Sequence, residues 1–406
     1  MTLVRLFTAV ACVCAAQVVV NAQSFTLTFA QALAQARERA PAVLIARARI
    51  DEARGRLAGA RVRFRENPTI DAATGPRFTE AGTLNDVDLG ISQIFETGGQ
   101  RSARIAGAQA AISAETASAA DAARIAVRDV ALAFARAVHA QERVVLLSRA
   151  EDLASGIVTV AERRFAAGDI AVLDVNVART ARSRAQAARF AADAARRAAV
   201  GELQQLLGVS AERTVVDGTL QRPQGADLQR LIATVNDRPD IRALQASIAD
   251  AESDLRLGRG LRRPDVGIGA RMKREEGHHA VLGELVLTLP VFNRGQELQS
   301  VGAARASRLR VELDARRNAA LAELRTLYEV AVTRESALAA IEQESLAALD
   351  ENERLASRSF DVGQISLPEM LLIRREIVET RLEYLDRLLE AAEAALARDA
   401  AAGVLQ

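Results

Sequence analysis

Hydrophobic positions along the chain follow two rhythms. From Gln100 to Phe165 they recur near helical spacing, marked by Ile105, Ala108, Ile112, Ile125, Val127, Val130, Leu132 and Phe134. No proline falls between Pro76 and Pro223, so this stretch can run as one Ala-rich helix. At ~1.5 Å per residue it would reach about 100 Å, which suits a coiled coil or a helical tube rather than a globular core. Gly98 and Gly99 stand at its entry, and Gly168 marks a reversal into a second helix, Val172 to Leu207. The plan returns with Gln296 to Phe360, a turn at Gly363, and Glu369 to Arg398, again with no proline between Pro290 and Pro368. Helical hairpins therefore dominate the chain.

The second rhythm is alternation. Asp86 to Ser92 puts Val87, Leu89 and Ile91 on one face. Val266, Ile268, Ala270 and Met272 do the same, as do Val281, Leu285, Leu287 and Leu289, and Thr69 to Phe78 is a weaker example. Each stretch matches the ~9–11 residues of a tilted membrane-crossing strand. The connections Thr79 to Gly82 and Glu275 to His279 are polar turns. On pattern alone, surface hairpins of a soluble protein fit equally well. Four strands per chain fall short of the ~8 that a closed membrane barrel needs, and an open sheet in lipid leaves costly unpaired edges. Strands in a membrane would thus require several copies to share one barrel, and three copies would supply twelve.

The two rhythms occur twice in the same order. Phe165, Gly168, Ile170 and Arg179 match Phe360, Gly363, Ile365 and Arg374, while Phe95 and Gly98 match Phe292 and Gly295. Pro41 and Pro68 likewise match Pro239 and Pro264. The spacing is about 195 residues throughout, a duplicated domain rather than a short-repeat solenoid. The division expected is a first repeat over 23–217, a linker over 218–227 containing Pro223 and Gly225, and a second repeat over 228–406.

Composition narrows the function. Half of the 406 residues are hydrophobic, and 53 basic groups meet 52 acidic ones, which gives no general attraction for nucleic acid. The two cysteines, Cys12 and Cys14, lie in an apolar N-terminal stretch that follows Arg5 and ends in Val20-Asn21-Ala22. Residues 1–22 read as a signal peptide, with lipidation at Cys12 as the lesser alternative. Neither a phosphate-binding Gly-rich loop nor a His-Glu-x-x-His motif is present, so an enzyme is the least supported class and no cofactor is expected. His139 stands alone in a helix and reads as structural. His278 and His279, beside Glu275 and Glu276, have metal-ligand chemistry but fall in an outward loop too loosely organised to count as a metal site.

The ordered set of motifs resembles the TolC-like outer membrane efflux proteins. It comprises Leu27 to Leu33 with Ala40-Pro41, then Asn67-Pro68, Phe95 to Arg101 with Arg104, Leu289 to Gly295, and the paired Phe-x-x-Gly hairpin tips. The resemblance implies a mainly α protein with a small β part. Long antiparallel hairpins would form a periplasmic α-barrel, and four transmembrane strands per chain would make a 12-stranded barrel in a homotrimer. It implies a passive exit duct in the outer membrane, in contact with its lipid and working with a periplasmic adaptor and an inner-membrane pump of the RND type. Phe95 to Arg101 and Leu289 to Gly295 are most similar to the branch exporting heavy-metal cations. Ducts for drug efflux or type I secretion share the architecture, and a soluble periplasmic coiled-coil scaffold is the further alternative.

Gly168 and Gly363 let the chain reverse at the hairpin tips, with Phe165 and Phe360 packing behind them, and by the same resemblance these tips receive the adaptor. Glu369 matches an acidic position that constricts the periplasmic entrance, and Asp174 is its counterpart in the first repeat. The family's second acidic position is occupied here by Leu372. Three glutamates around a narrow aperture would attract cations. Glu369 also lies one residue inside Pro368, where a helix N-terminus favours a carboxylate for purely structural reasons.

Overall fold

The computed structural model describes residues 25–80, 82–209, 214–275 and 278–405. The signal-peptide segment 1–22 with Cys12 lies outside the described residues, as do residues 81, 276 and 277 within the two polar turns.

The chain opens with β1 (Phe25–Thr28), α1 (Phe29–Arg39) and α2 (Pro41–Arg61). Thr28 caps α1 through a capping box with Gln31, and Pro41 starts α2 with its fixed φ. The hairpin β2 (Thr69–Thr79) and β3 (Gly82–Phe95) follows, then α3 (Gln100–Ala166) and α4 (Val172–Leu207). The second half runs β4 (Thr214–Asp217), α5 (Leu228–Thr234), α6 (Pro239–Gly260), β5 (Asp265–Glu275), β6 (His278–Thr288), α7 (Gln296–Ile341), α8 (Ala347–Asp361) and α9 (Leu367–Ala402). The 67 residues of α3 extend about 100 Å, as the proline-free spacing implies.

Two features depart from the sequence reading. The helix expected from Gln296 to Phe360 is interrupted by a π-helical turn, Glu342–Leu346, between α7 and α8. No glycine or proline marks it; Glu342 there accepts from Arg222 at 3.0 Å and from the Tyr384 hydroxyl at 3.3 Å. The second is a small parallel sheet in which β1 pairs with β4, Leu27 opposite Val216. Four-residue strands are too short for a periodic signal, and this pair joins segments distant in sequence.

The apolar core is drawn out along the helices rather than gathered at one centre. One cluster joins α1, α3 and α4 to the small sheet through Leu33, Val130, Phe134, Leu203 and Val216. A second, around Leu231, Ile241, Leu324 and Ala401, binds α5 and α6 to α7 and the end of α9. A third lies at the hairpin tips. Alanines fill many buried positions, so neighbouring helices approach closely.

Candidate functional site

The four long strands form one antiparallel sheet in the order β2-β3-β5-β6. Its register places Ile70 beside Ile91, Leu89 beside Met272, and Ile268 beside Leu285. These apolar residues share a face that nothing among the described residues covers: Ile70 is 74% exposed, Val281 79% and Leu285 68%. A one-residue shift in register would exchange the two faces, so pairing and polarity agree throughout.

The opposite face is charged. Arg271 reaches Asp88 at 3.1 Å and Glu284 at 3.3 Å, and Lys273 lies 3.7 Å from Asp88. Arg77 pairs with Asp86 at 2.7 Å and with Glu275 at 3.6 Å. The Arg271 guanidinium lies over Gly90, where an added Cβ would sit 3.3 Å from it. Water-soluble sheets place their apolar face inward; here that face is exposed. β2 and β6 each keep one unpaired edge, the liability that closure with further strands removes. Among the described residues no helix is long and apolar enough to cross a membrane.

The motifs flanking the strands act in backbone packing. A Cβ on Gly98 would lie 2.1 Å from the Gly260 carbonyl oxygen, and one on Gly295 would lie 2.4 Å from that of Gly258. Gly99 and Gly295, at φ +77° and +68°, turn the chain from the sheet into α3 and α7. Gln100 is 1% exposed and donates to Asp265 at 2.9 Å, while the Thr97 hydroxyl donates to the Pro264 carbonyl at 2.6 Å. The glycines and Gln100 thus hold the exits of β3 and β6 against the end of α6.

At the other end of the long helices the two hairpin tips share one construction. The Gly168 N–H donates to the Phe165 carbonyl and the Asp169 N–H to that of Arg164, both at 2.9 Å. Gly363 to Phe360 and Gln364 to Ser359 repeat the pattern at 3.1 and 2.8 Å, and the two glycines have φ +82° and +75°. The tips pack on each other through Ile157, Val175, Ala178, Leu367 and Met370. The aromatic rings differ from the sequence reading: Phe360 is 8% exposed within this cluster, whereas Phe165 is 46% exposed and presents its ring to solvent. The buried ring takes the Arg164 guanidinium at 5.6 Å instead.

Asp174 and Glu369 each occupy the third residue of their helix. Asp174 accepts from the Ala171 N–H at 3.2 Å. Glu369 accepts from the Ser366 N–H at 2.7 Å and from its hydroxyl at 2.9 Å, while its own N–H donates to that hydroxyl at 3.4 Å. The Ser366 backbone N–H, and then its hydroxyl, hold the Glu369 carboxyl below the usual glutamate range. Glu369 is therefore an exposed, ionised carboxylate fixed in direction by its own helix cap.

His139 meets Asp386 at 2.8 Å, and Arg143 donates to the same oxygen at 2.7 Å. His278 and His279, expected in a loop, begin β6 opposite Glu275 and Arg274. No group of three His, Cys, Asp or Glu among the described residues is placed to hold a metal ion. Sequence reasoning missed Arg238, a fully buried arginine that donates to both oxygens of Asp240 at 3.1 and 2.9 Å and to the Ala401 carbonyl at 2.8 Å. Arg316 adds a third hydrogen bond to Asp240 at 2.7 Å. Burial opposes ionisation of Asp240, but the hydrogen bonds and charges of Arg238 and Arg316 outweigh it and hold its carboxyl at about 2. Its only sequence signal was Arg238-Pro239-Asp240 at a helix start.

An uncovered apolar sheet face, a charged reverse face and helices of this length define a membrane channel protein with a long helical extension. Residues 32–209 match the family model described as outer membrane efflux protein. The chain is 26% identical over 322 residues to the cobalt-zinc-cadmium resistance protein CzcC of Cupriavidus metallidurans, which covers 75% of this chain and 74% of that one. It is 27% identical over 307 residues to the nickel-cobalt-cadmium resistance protein NccC of Alcaligenes xylosoxydans xylosoxydans, with 72% and 69% covered. Among solved structures, the CmeC outer membrane channel of Campylobacter jejuni superposes with a TM-score of 0.74 at 14% identity, covering 93% of this chain and 85% of that one. The chain is thus similar to outer membrane efflux proteins over residues 32–209 and to two heavy-metal resistance proteins along about three quarters of its length, which supports an efflux channel of the outer membrane.

Proposed function

We propose that three copies close their sheets into one twelve-stranded barrel and their hairpins into one periplasmic tube. Such a tube is a passive exit duct for cargo delivered by an inner-membrane pump of the RND type and a periplasmic adaptor. The observation that carries this reading is the sheet, with its apolar face uncovered, its charged face opposed and its two edges unpaired. A trimer places the apolar face against lipid, lines the lumen with charges such as Arg271, Asp88 and Glu284, and pairs each β2 with a neighbouring β6. Each chain then contributes two equivalent units, 23–217 and 228–406, joined by 218–227.

The cargo proposed is heavy-metal cations, supported by the resistance proteins that the chain resembles along about three quarters of its length. At the tips, Glu369 forms the charged constriction, with Asp174 as its counterpart. Its exposed carboxylate, ionised by the Ser366 contacts, favours cations at the aperture. The turns at Gly168 and Gly363, with Phe165 exposed beside one of them, form the surface offered to the adaptor.

The deciding experiment is the detergent-corrected mass of protein extracted from purified outer membranes, by light scattering. A trimer is expected. A monomer would refute the shared barrel, whatever the cargo. Growth of a deletion strain on cobalt, zinc and cadmium, with and without the gene restored, tests the cargo separately.

A further inference from the structure

The polar groups at the helix-side end of the sheet are unlike those anywhere else on it. Two segments feed strands there, 62–68 into β2 and 261–264 into β5. They and the adjoining helix ends carry Arg61, Arg63, Arg65, Arg259, Arg262 and Arg263, all exposed. Among the described residues none of these six forms an ion pair with a carboxylate, whereas the arginines on the sheet's charged face and most of those between the long helices do. The only acids close by in sequence are Glu66 and Asp265, and Asp265 already accepts from Gln100 and Thr97.

The register puts all of them at one level. Thr69, Phe95, Asp265 and Thr288 end their strands on the same side of the sheet. Gln93 donates to the Glu66 carbonyl at 2.9 Å, and Arg101 to that of Arg61 at 2.9 Å, which ties the basic segment to that edge. Aromatic rings stand at the same height: Phe64 meets Phe95 edge-on at 5.3 Å, Arg63 lies over Phe64 at 5.5 Å, and Phe292 is 92% exposed. The far end of the sheet has no such excess, because Glu80, Asp86 and Glu275 accompany Arg77, Lys273 and Arg274 there.

We propose that this collar of six arginines binds the anionic phosphate headgroups of the membrane leaflet at the helix-side end of the sheet. The inference rests on the reading of the sheet as membrane-embedded. The apolar band stops at this level, so the collar meets the zone where lipid phosphates lie. Guanidinium groups bind phosphate oxygens bidentately, and their apolar stems can lie along the adjoining rings. Phe64, Phe95 and Phe292 take the place of the Tyr and Trp girdle usual at that depth. The collar fixes how far the barrel sits in the bilayer and leaves the long helices outside it.

The test uses the full-length protein in vesicles of phosphatidylcholine alone and of phosphatidylcholine with phosphatidylglycerol. Lipid retained on the extracted protein is measured by native mass spectrometry. The wild type should retain phosphatidylglycerol at least tenfold over its share of the bilayer, since each basic group at a membrane surface adds several-fold. Arg63→Gln, Arg262→Gln and Arg263→Gln together should lower that preference at least fivefold, with Arg61, Arg65 and Arg259 left in place, and the corresponding three lysine substitutions should keep most of it. Equal retention by wild type and glutamine variant, both inserted, would overturn the collar and leave the duct standing. Loss of the preference on adding inorganic phosphate at constant ionic strength would overturn it in favour of a free-anion site. Failure of the wild type to insert into either vesicle would remove the membrane reading and the collar together.

Discussion

Replacing Asp240 by Asn tests how the end of the last helix is held. Asp240 accepts from Arg238 and Arg316, and the Arg238 guanidinium in turn holds the Ala401 carbonyl at 2.8 Å, one of the last carbonyls of α9, which have no partner within the helix. With asparagine in its place, the buried guanidinium keeps one neutral amide oxygen, that carbonyl and Glu323 at 3.7 Å, and faces an amide NH2 where the second carboxylate oxygen stood. The Asp240 carboxyl falls from 3.8 to about 2, so ionisation contributes on the order of 2 kcal/mol. Stranding the charge of Arg238 raises the expected loss for Asp240→Asn to about 2–4 kcal/mol. The folded-state value is depressed, so the stabilisation is complete above pH ~4 and fades as the pH falls towards ~2. Hydrogen exchange of the peptide spanning Ala395–Ala402 is the assay, read as the variant-to-wild-type rate ratio at each pH so that intrinsic chemistry cancels. A loss of 2 kcal/mol corresponds to roughly 30-fold faster local opening at pH 7. The ratio should shrink as the pH falls from ~4 and approach one only below pH ~2, where the wild-type carboxyl is neutral as well. A ratio near one at pH 7 would show that the carboxylate does not hold the helix end.

Three further outcomes follow from the geometry. Phe360→Ala should cost about 3 kcal/mol and speed exchange at both tips, whereas Phe165→Ala should leave exchange unchanged; equal effects would contradict the difference in burial between them. Gly98→Ala drives a Cβ into the Gly260 carbonyl, so the yield of folded protein in the outer membrane should fall sharply; wild-type yield would mean the junction can open without loss. Glu369→Ala should raise single-channel conductance in planar bilayers and weaken cation selectivity, and Glu369→Gln should match its selectivity while retaining the amide contact to Ser366. Because the Ser366 contacts lower the Glu369 carboxyl, its cation-attracting charge persists to lower pH than that of an ordinary glutamate and is lost on further acidification. Unchanged conductance and selectivity would remove Glu369 from the gate.

Much of the molecule was legible without coordinates because it is built from long, regular stretches. The start of α3 at Gln100, the whole of α4 and the inward or outward parity of Val87, Leu89 and Ile91 follow from period and proline placement alone, which depend on neighbours a few residues apart. The motif around Phe95 to Arg101 was visible as a string of residues, but its purpose was not. Only the fold shows that Gly98 is small because the Gly260 backbone passes against it.

What tertiary structure decided lies where partners are distant in sequence. The pairing of β1 with β4, the π turn at Glu342 beside Arg222 and Tyr384, and the burial of Arg238 under the end of α9 each join segments that no local period connects. The same holds for the tips: the chain repeats Phe165 as Phe360 in an identical local turn, yet one ring is exposed and the other buried, because burial depends on which helices arrive alongside. Local sequence sets the direction and period of each element, and packing between elements sets what each side chain meets.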